Sequence, residues 1–493
     1  MIEHAPALIV IIPLTISLLA PLFARISKEM ARIILVAGLA ASTYFSFVVL
    51  FQVLETGNWH YYFGNWEPPW GIEYVLDTLN SAIALMISFI ATVVAIYSKE
   101  FLKHDGWLKN GTFNALYGLV VTGLLGMVVT GDAFNLYVFL EISSLSAYAL
   151  IAMGGQRGTF AALKYLLIGT IGASFYLLGV GYLYAITGTL NMADMAVRLG
   201  PLMDSPVVLF SIVLMFVGMG IKMGLFPLHF WLPDAYTYAF PPAIAFISGT
   251  MTKVSAYVLF RFFDYIFIGN SIFVMKALDV AGILAGVGII VGSVMAIAQK
   301  DFRRMLAYSS IAQIGYIVVG FAIGNVYALI GAMFHIANHA LMKSALFLIA
   351  GSMKLKYNEI TIDKFKDIFK KMPLTMYCFL ILAFSMVGLP PTAGFFSKWY
   401  LVLGALEKDL WIYIVIIVIS SILNAVYFFR IIEFAFMKEA ATELKSQLKS
   451  KLELPLTMLI PIIVLSLLVL FLGIFNEEVV STVLFYALPE VVN

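Results

Sequence analysis

The sequence predicts an all-α polytopic membrane protein with about fourteen transmembrane helices, on three observations. Of its 493 residues, 62% are apolar and only 12% are charged, against roughly 45–50% and about 25% in an ordinary soluble chain. Mean hydropathy is +0.98. The apolar residues fall in continuous runs long enough for a helix to cross a bilayer core, not in the strict alternation of an outer-membrane barrel.

The runs, each bounded by charge or by Gly, Pro and Asn, lie near 7–24, 33–53, 77–97, 113–130, 133–153, 162–186 and 207–228, then 242–263, 273–297, 305–321, 325–350, 374–403, 411–435 and 455–475. The first begins within MIEHAPALIV, which lacks the basic segment of a cleaved signal peptide, so residues 7–24 read as a span. Between the second and third, residues 54–76 hold no Lys or Arg but many Trp and Tyr, the composition of an interfacial aromatic belt. The fourth and fifth are joined so tightly that they are easily mistaken for one helix, as are the tenth and eleventh. The stretch 436–455 before the last run is amphipathic and basic, and reads as a solvated cytoplasmic connection.

Charge in the loops tests this division. Counted from an external N-terminus, the cytoplasmic loops hold 20 Lys and Arg, from Arg25 to Lys451, and the external loops hold three, Arg198, Arg261 and Lys408. One miscounted helix would scramble that alternation from its position onward. Both termini are therefore expected outside.

Several function classes are excluded. Net charge is +2, so bulk electrostatics offers nothing to a nucleic acid. Cys378 is the only cysteine, which leaves no intramolecular disulfide and no thiolate cluster. Neither a P-loop nor a dinucleotide fingerprint occurs, and the glycines of GVGYLYAITG and GILAGVGIIVG read as close helix packing.

The informative residues are the charges left inside the runs. A Lys or Asp at a helix centre costs about 2.5–3.5 kcal/mol to insert, so several together imply a polar, hydrated interior. Glu141 in NLYVFLEISSLSAYALI, Lys222 in FVGMGIKMGLFPLHFWLP, Lys253 in ISGTMTKVSAYVLF and Lys398 in GLPPTAGFFSK are far from helix ends or beside prolines. Gly388, Pro390, Pro391 and Gly394 interrupt the helix before Lys398, and such breaks mark ion paths in transporters. His335, His339 and Lys343 are spaced i, i+4 and i+8 and share one helix face. A metal would fit two His four apart, but the Glu of a zincin helix is replaced by Ile336, so a stripe of titratable groups suited to proton relay is the better reading; two buried bundle histidines are the plain alternative. Lys164, Lys276, Asp279, Arg430 and Glu433 lie near helix ends, where snorkelling explains them. Asp132, Lys164 and Asp234 are secondary site candidates. No metal site and no cofactor are expected in this chain.

At these residues the chain resembles the antiporter-like subunit family shared by respiratory complex I, Mrp-type cation/proton antiporters and membrane-bound hydrogenases. The resemblance rests on GDAFNLYVFLEISSLSAYALIA, GIKMGLFPLHFWLPDAY, MTKVSAYVL, QKDFRRMLAYSSIAQIGY, FHIANHALMKSALFL and GLPPTAGFFSKW, in family order over roughly residues 75–430. It implies two inverted five-helix repeats, helices 4–8 (113–263) and 9–13 (273–435), with helices 7 and 12 broken; residues 1–112 supply helices 1–3, and 436–493 the connection and helix 14. A lysine near prolines in both helix 7 and helix 12 agrees. The resemblance gives Glu141 and Lys222 the place of the family's Glu–Lys pair, Lys253 that of its bridging lysine, His335 and His339 that of its axis histidines, and Lys398 that of its terminal lysine.

The wording GDAFNLYVFLEIS resembles most closely the D-type component of Mrp antiporters and its archaeal hydrogenase counterpart. Lys398 stands where one complex I relative carries Glu, and the short tail after helix 14 sets the chain apart from the complex I subunit with a long lateral helix and from the C-terminally extended A-type component of Mrp antiporters. The implied function is proton translocation or sodium–proton exchange by one component of a multisubunit complex in a prokaryotic cell membrane, with other membrane subunits as partners. The alternatives are a charge-bearing structural anchor of a redox complex and a stand-alone secondary solute carrier.

Overall fold

The computed structural model describes residues 2–267, 272–357, 361–366, 368–436 and 453–488. The expected basic connection falls, at 437–452, outside the described residues. Thirteen helices among the described residues are each long and apolar enough to span a membrane: helix 1 (Ala5–Ile26), 2 (Lys28–Thr56), 3 (Thr78–Tyr97), 4 (Trp107–Val129), 5 (Ala133–Ala152), 6 (Gln156–Thr187), the first half of 7 (Pro206–Met223), 8 (Pro241–Arg261), 9 (Ile272–Ile297), 10 (Phe302–Ile323), 11 (Val326–Tyr357), 13 (Trp411–Phe436) and 14 (Leu456–Ile474). Helix 12, the remaining apolar run, is divided into two shorter halves, Pro373–Val387 and Ala393–Glu407. The chain is a multi-pass helical membrane protein.

Helices 7 and 12 break where the sequence placed Gly and Pro. The first half of helix 7 ends at Met223 and not near 228, because Gly224 takes a left-handed φ of 73° as its cap and Pro227 has no backbone donor to continue it. Its second half is Leu232–Tyr238. In helix 12, Gly388 (φ 91°) caps the first half, its N–H reaching the Phe384 carbonyl at 2.9 Å. Helices 4 and 6 begin about six residues earlier than expected, since each runs on past its apolar stretch into polar residues.

Burial sorts the helices. Helices 8, 10 and 11 form the centre, with nearly every residue enclosed, whereas helices 1, 2, 6 and 13 turn rows of large apolar side chains outward. Small residues allow the close approach. A Cβ on Gly218 of helix 7 would lie 2.5 Å from the Gly172 carbonyl of helix 6, and one on Gly292 of helix 9 would lie 2.8 Å from the Ala312 nitrogen of helix 10.

Successive helices alternate in direction, so the bundle has two faces. One, the basic face, gathers the helix ends whose loops carry most Lys and Arg; there Asp234 pairs with Lys164 at 2.8 Å and Arg304 at 2.9 Å. The other carries a feature absent from the sequence reading. The aromatic stretch 54–76 folds as an antiparallel hairpin, β1 (Trp59–Tyr62) with β2 (Glu73–Leu76), and Tyr74 bridges on to Thr130 at the end of helix 4. The buried Glu73 carboxylate accepts from Asn191 at 2.6 Å and contacts His60 at 3.2 Å.

Candidate functional site

Helix 5 presents Glu141, Ser144 and Tyr148 on one face, because steps of three and four return to the same side. Across from them, Lys222 occupies the last turn of the first half of helix 7 and is buried. Its ammonium donates to Ser144 Oγ at 2.7 Å and to Tyr148 Oη at 3.2 Å. Glu141 and Lys222 are thus neighbours and not a direct ion pair: Glu141 Oε1 is buried with no hydrogen-bond partner among the described residues. The break behind Lys222 is braced by Trp231, whose Nε1 donates to the Ile221 carbonyl at 2.8 Å while its ring stacks on Tyr165 at 3.6 Å.

Lys253, roughly midway along helix 8, is fully enclosed and donates to the Ser248 carbonyl of its own helix. Helix 8 packs against helix 11, which carries His335 and His339. The two histidine rings stack with centroids 5.8 Å apart. One further turn along, Lys343 donates to the Leu306 carbonyl of helix 10 at 2.9 Å and to Ser309 Oγ. His335 Nδ1 meets Ser397 Oγ of helix 12 at 2.9 Å, and Ser397 is the residue before Lys398.

Lys398 shows why the break exists. The C-terminus of a half-helix leaves carbonyls unpaired and carries partial negative charge. From the second half of helix 12, Lys398 Nζ reaches back to the carbonyls of Met386 at 3.0 Å and Val387 at 2.9 Å, and to Ser421 Oγ of helix 13 at 3.1 Å. The face of the Tyr316 ring lies 5.1 Å away. A cavity of about 340 Å³ opens beside this lysine between helices 12 and 13.

Lys222 thus meets Ser144 and Tyr148 on the face that carries Glu141, Lys253 is buried on helix 8, and a polar line runs from Lys343 through His339 and His335 to Ser397 and its neighbour Lys398. Along it, both His339 ring nitrogens, His335 Nε2, Asn338 Nδ2 and both polar atoms of Gln313 are buried without hydrogen-bond partners among the described residues. Buried polar atoms demand partners, and in a polar interior bridging water supplies them. Such a line can take up, hold and hand on protons.

The secondary candidates lie elsewhere. Asp132 caps helix 5 at the hairpin face, accepting the Asn135 N–H at 2.6 Å. Lys164 and Asp234 meet each other and Arg304 at the basic face, lining a cavity of about 540 Å³ with Gln156, Arg157 and Tyr238. Arg430 donates to the Ile297 and Gln299 carbonyls at 2.9 and 2.7 Å, an end-of-helix role. The sequence reading did not single out Ser144, Tyr148, Ser309, Gln313, Tyr316 or Ser397; hydroxyl and amide residues are common in apolar helices, and only the contacts mark these.

Comparison with known proteins follows the same line. The family model described as NADH:quinone oxidoreductase/Mrp antiporter, TM, matches residues 130–424. The N-type component of the NADH-quinone oxidoreductase of Desulforudis audaxviator is 51% identical, with 99% of both chains covered. The D-type component of the Na(+)/H(+) antiporter of Alkalihalophilus pseudofirmus is 33% identical, with 92% of each chain covered. Among solved structures, a chain of the membrane-bound sulfane sulfur reductase, an archaeal respiratory membrane complex, superimposes with a TM-score of 0.91 at 29% identity over 100% of this chain and 98% of that one.

Proposed function

Because the chain belongs to the NADH:quinone oxidoreductase/Mrp antiporter transmembrane family, whose antiporter-like members translocate ions, we propose that it moves protons, or exchanges sodium for protons, along the line from Glu141 to Lys398. It does so as one membrane component of a larger complex and needs no cofactor of its own. The basic face lies in the cytoplasm and both termini outside. Residues 113–263 and 273–435 act as two repeats, each contributing one broken helix and one lysine beside the break.

One observation supports this reading above its rivals. Lys222, Lys253, Lys343 and Lys398 are all buried, yet none stands within ion-pair distance of a carboxylate among the described residues. A structural anchor would keep buried charges paired, since an uncompensated one is strongly destabilising. Here hydroxyls, carbonyls and aromatic faces solvate each ammonium instead, and those partners serve a proton that comes and goes. The polar groups are also spread from helix to helix, unlike the single mixed pocket that an organic solute requires.

The residues suggest the sequence of events. Lys222 Nζ leaves Ser144 and Tyr148 and moves along the helix 5 face to Glu141. A charge pair formed there at about 4 Å, at an effective dielectric near 20, is worth about 4 kcal/mol. Gaining or losing that partner changes how readily Lys253 keeps its proton. The histidine pair and Ser397 then carry the change to Lys398, where the half-helix carbonyls hold the ammonium until its proton leaves.

Lys222→Ala and Glu141→Ala test the reading in the intact complex, reconstituted in vesicles with a pH-sensitive dye. Transport should be lost while the composition of the complex stays normal. Unchanged proton or sodium transport would sink it, and loss of assembly in proportion to loss of transport for Lys398→Ala would favour the anchor.

A further inference from the structure

Helix 8 carries a polar stripe that departs at Lys253 from the line between Glu141 and Lys398. Lys253, Tyr257 and Arg261 are spaced i, i+4 and i+8, so they share one face over about 12 Å of rise. Lys253 is fully buried and Tyr257 is 2% exposed. Arg261 reaches the hairpin face of the bundle, where its side chain is 14% exposed and that of Asp77 16%. Arg261 Nε donates to Tyr257 Oη at 2.9 Å, and its Nη2 pairs with the Asp77 carboxylate. Tyr257 Oη in turn donates to the Val128 carbonyl at 3.1 Å. The Tyr265 ring lies 4.3 Å from the guanidinium. Asp77 is held through its other oxygen as the cap of helix 3, accepting the Asn80 N–H at 2.9 Å. A tether between helices 3 and 8 would need the ion pair alone. It would not need a buried tyrosine hydroxyl between that pair and a buried lysine.

We propose that this stripe is a branch from Lys253 to the hairpin face and that the Asp77–Arg261 pair is its gate. The inference rests on the ion-translocating reading of Lys253. With the pair closed, the fixed guanidinium opposes the arrival of a second positive charge, as arginines do in selective pores. When Arg261 swings away, the Lys253 ammonium leaves the Ser248 carbonyl and gives one proton through bridging water to the Tyr257 oxygen, and the Tyr257 hydroxyl turns from the Val128 carbonyl and passes its own proton to the Asp77 carboxylate. Asp77 then releases that proton to solvent at the hairpin face. Lys253 ends neutral, and Tyr257 and Asp77 end as they began.

The test uses the purified intact complex in liposomes, with passive proton leak measured under an imposed pH gradient and clamped potential. Arg261→Gln should raise the leak severalfold, and adding Tyr257→Phe to it should return the leak to the parent value. An assembled Arg261→Gln complex with unchanged leak overturns the proposal, and so does a leak that persists in the double variant, which would be a packing defect. If Arg261→Gln does not assemble, Tyr257→Phe alone decides: driven transport should fall severalfold, and unchanged transport overturns the branch. Lys222→Ala measured alongside reports on the underlying reading, which fails if that variant transports normally, whatever the leak does.

Discussion

A lysine ammonium survives in a membrane interior only where carbonyls, hydroxyls or ring faces replace its water, and Lys398 has all three within reach. The residue next to it matters as much. Ser397 Oγ is the side-chain contact between helix 12 and His335, so Ser397→Ala should leave the bundle and the complex intact while slowing driven proton transport severalfold. Ser397→Thr, which keeps the hydroxyl, should restore most of the rate. Equal transport in the parent and the alanine variant would remove Ser397 from the path. The placement of Glu141, Lys222, Lys253, His335, His339 and Lys398 was legible because a charge or imidazole inside an apolar run has no ordinary excuse. Ser144, Tyr148, Ser397 and Gln313 were not legible, since their role depends on what faces them across a helix gap. For the same reason Glu141 and Lys222 could be named as neighbours, but not as residues separated by a serine and a tyrosine.

At the scale of elements, the two breaks follow from residues that anyone can read. Gly224 and Gly388 accept positive φ without strain, and Pro227, Pro390 and Pro391 offer no backbone donor. The hairpin at 59–76 was missed because a Trp- and Tyr-rich stretch without basic residues fits an interfacial belt as well as a pair of short strands, and its register is set by contacts with Thr130 and Asn191 far along the chain. Glycine inside the helices separates into two kinds. A Cβ on Gly218 would meet the Gly172 carbonyl and the Tyr176 backbone, whereas Gly181 has open space where a Cβ would go. Gly218→Ala should therefore destabilise the purified complex by about 1–3 kcal/mol, seen as a lower Tm in detergent, and Gly181→Ala should not. Equal melting of the two variants would contradict the close approach of helices 6 and 7.

On the scale of the whole molecule, the spans were the most legible property, since hydropathy alone marks the thirteen described helices that are long and apolar enough to cross a membrane. The outward rows of apolar side chains on helices 1, 2, 6 and 13 leave lipid or other subunits to cover them. Mass spectrometry of mildly solubilised native membranes should find the 54.5 kDa chain together with further membrane subunits; recovery of this chain alone would count against its place in a complex. Iron–sulfur partners would make it the pumping arm of a redox machine, and small antiporter components alone would make it part of a secondary exchanger. The direction of the polar line has an electrical meaning. Its leg from His335 to Lys343 follows the helix 11 axis for about 12 Å, whereas its steps from one helix to the next cross between axes, and the transmembrane voltage does work only on the part of a path that lies along the membrane normal. Voltage acts, at about 2.3 kcal/mol per charge per 100 mV for the full thickness, only on legs that climb toward a surface. The helix 8 stripe rises about 12 Å of a core roughly 30 Å thick, so that single leg would carry roughly two-fifths of the field, and the membrane potential would be felt at the gate.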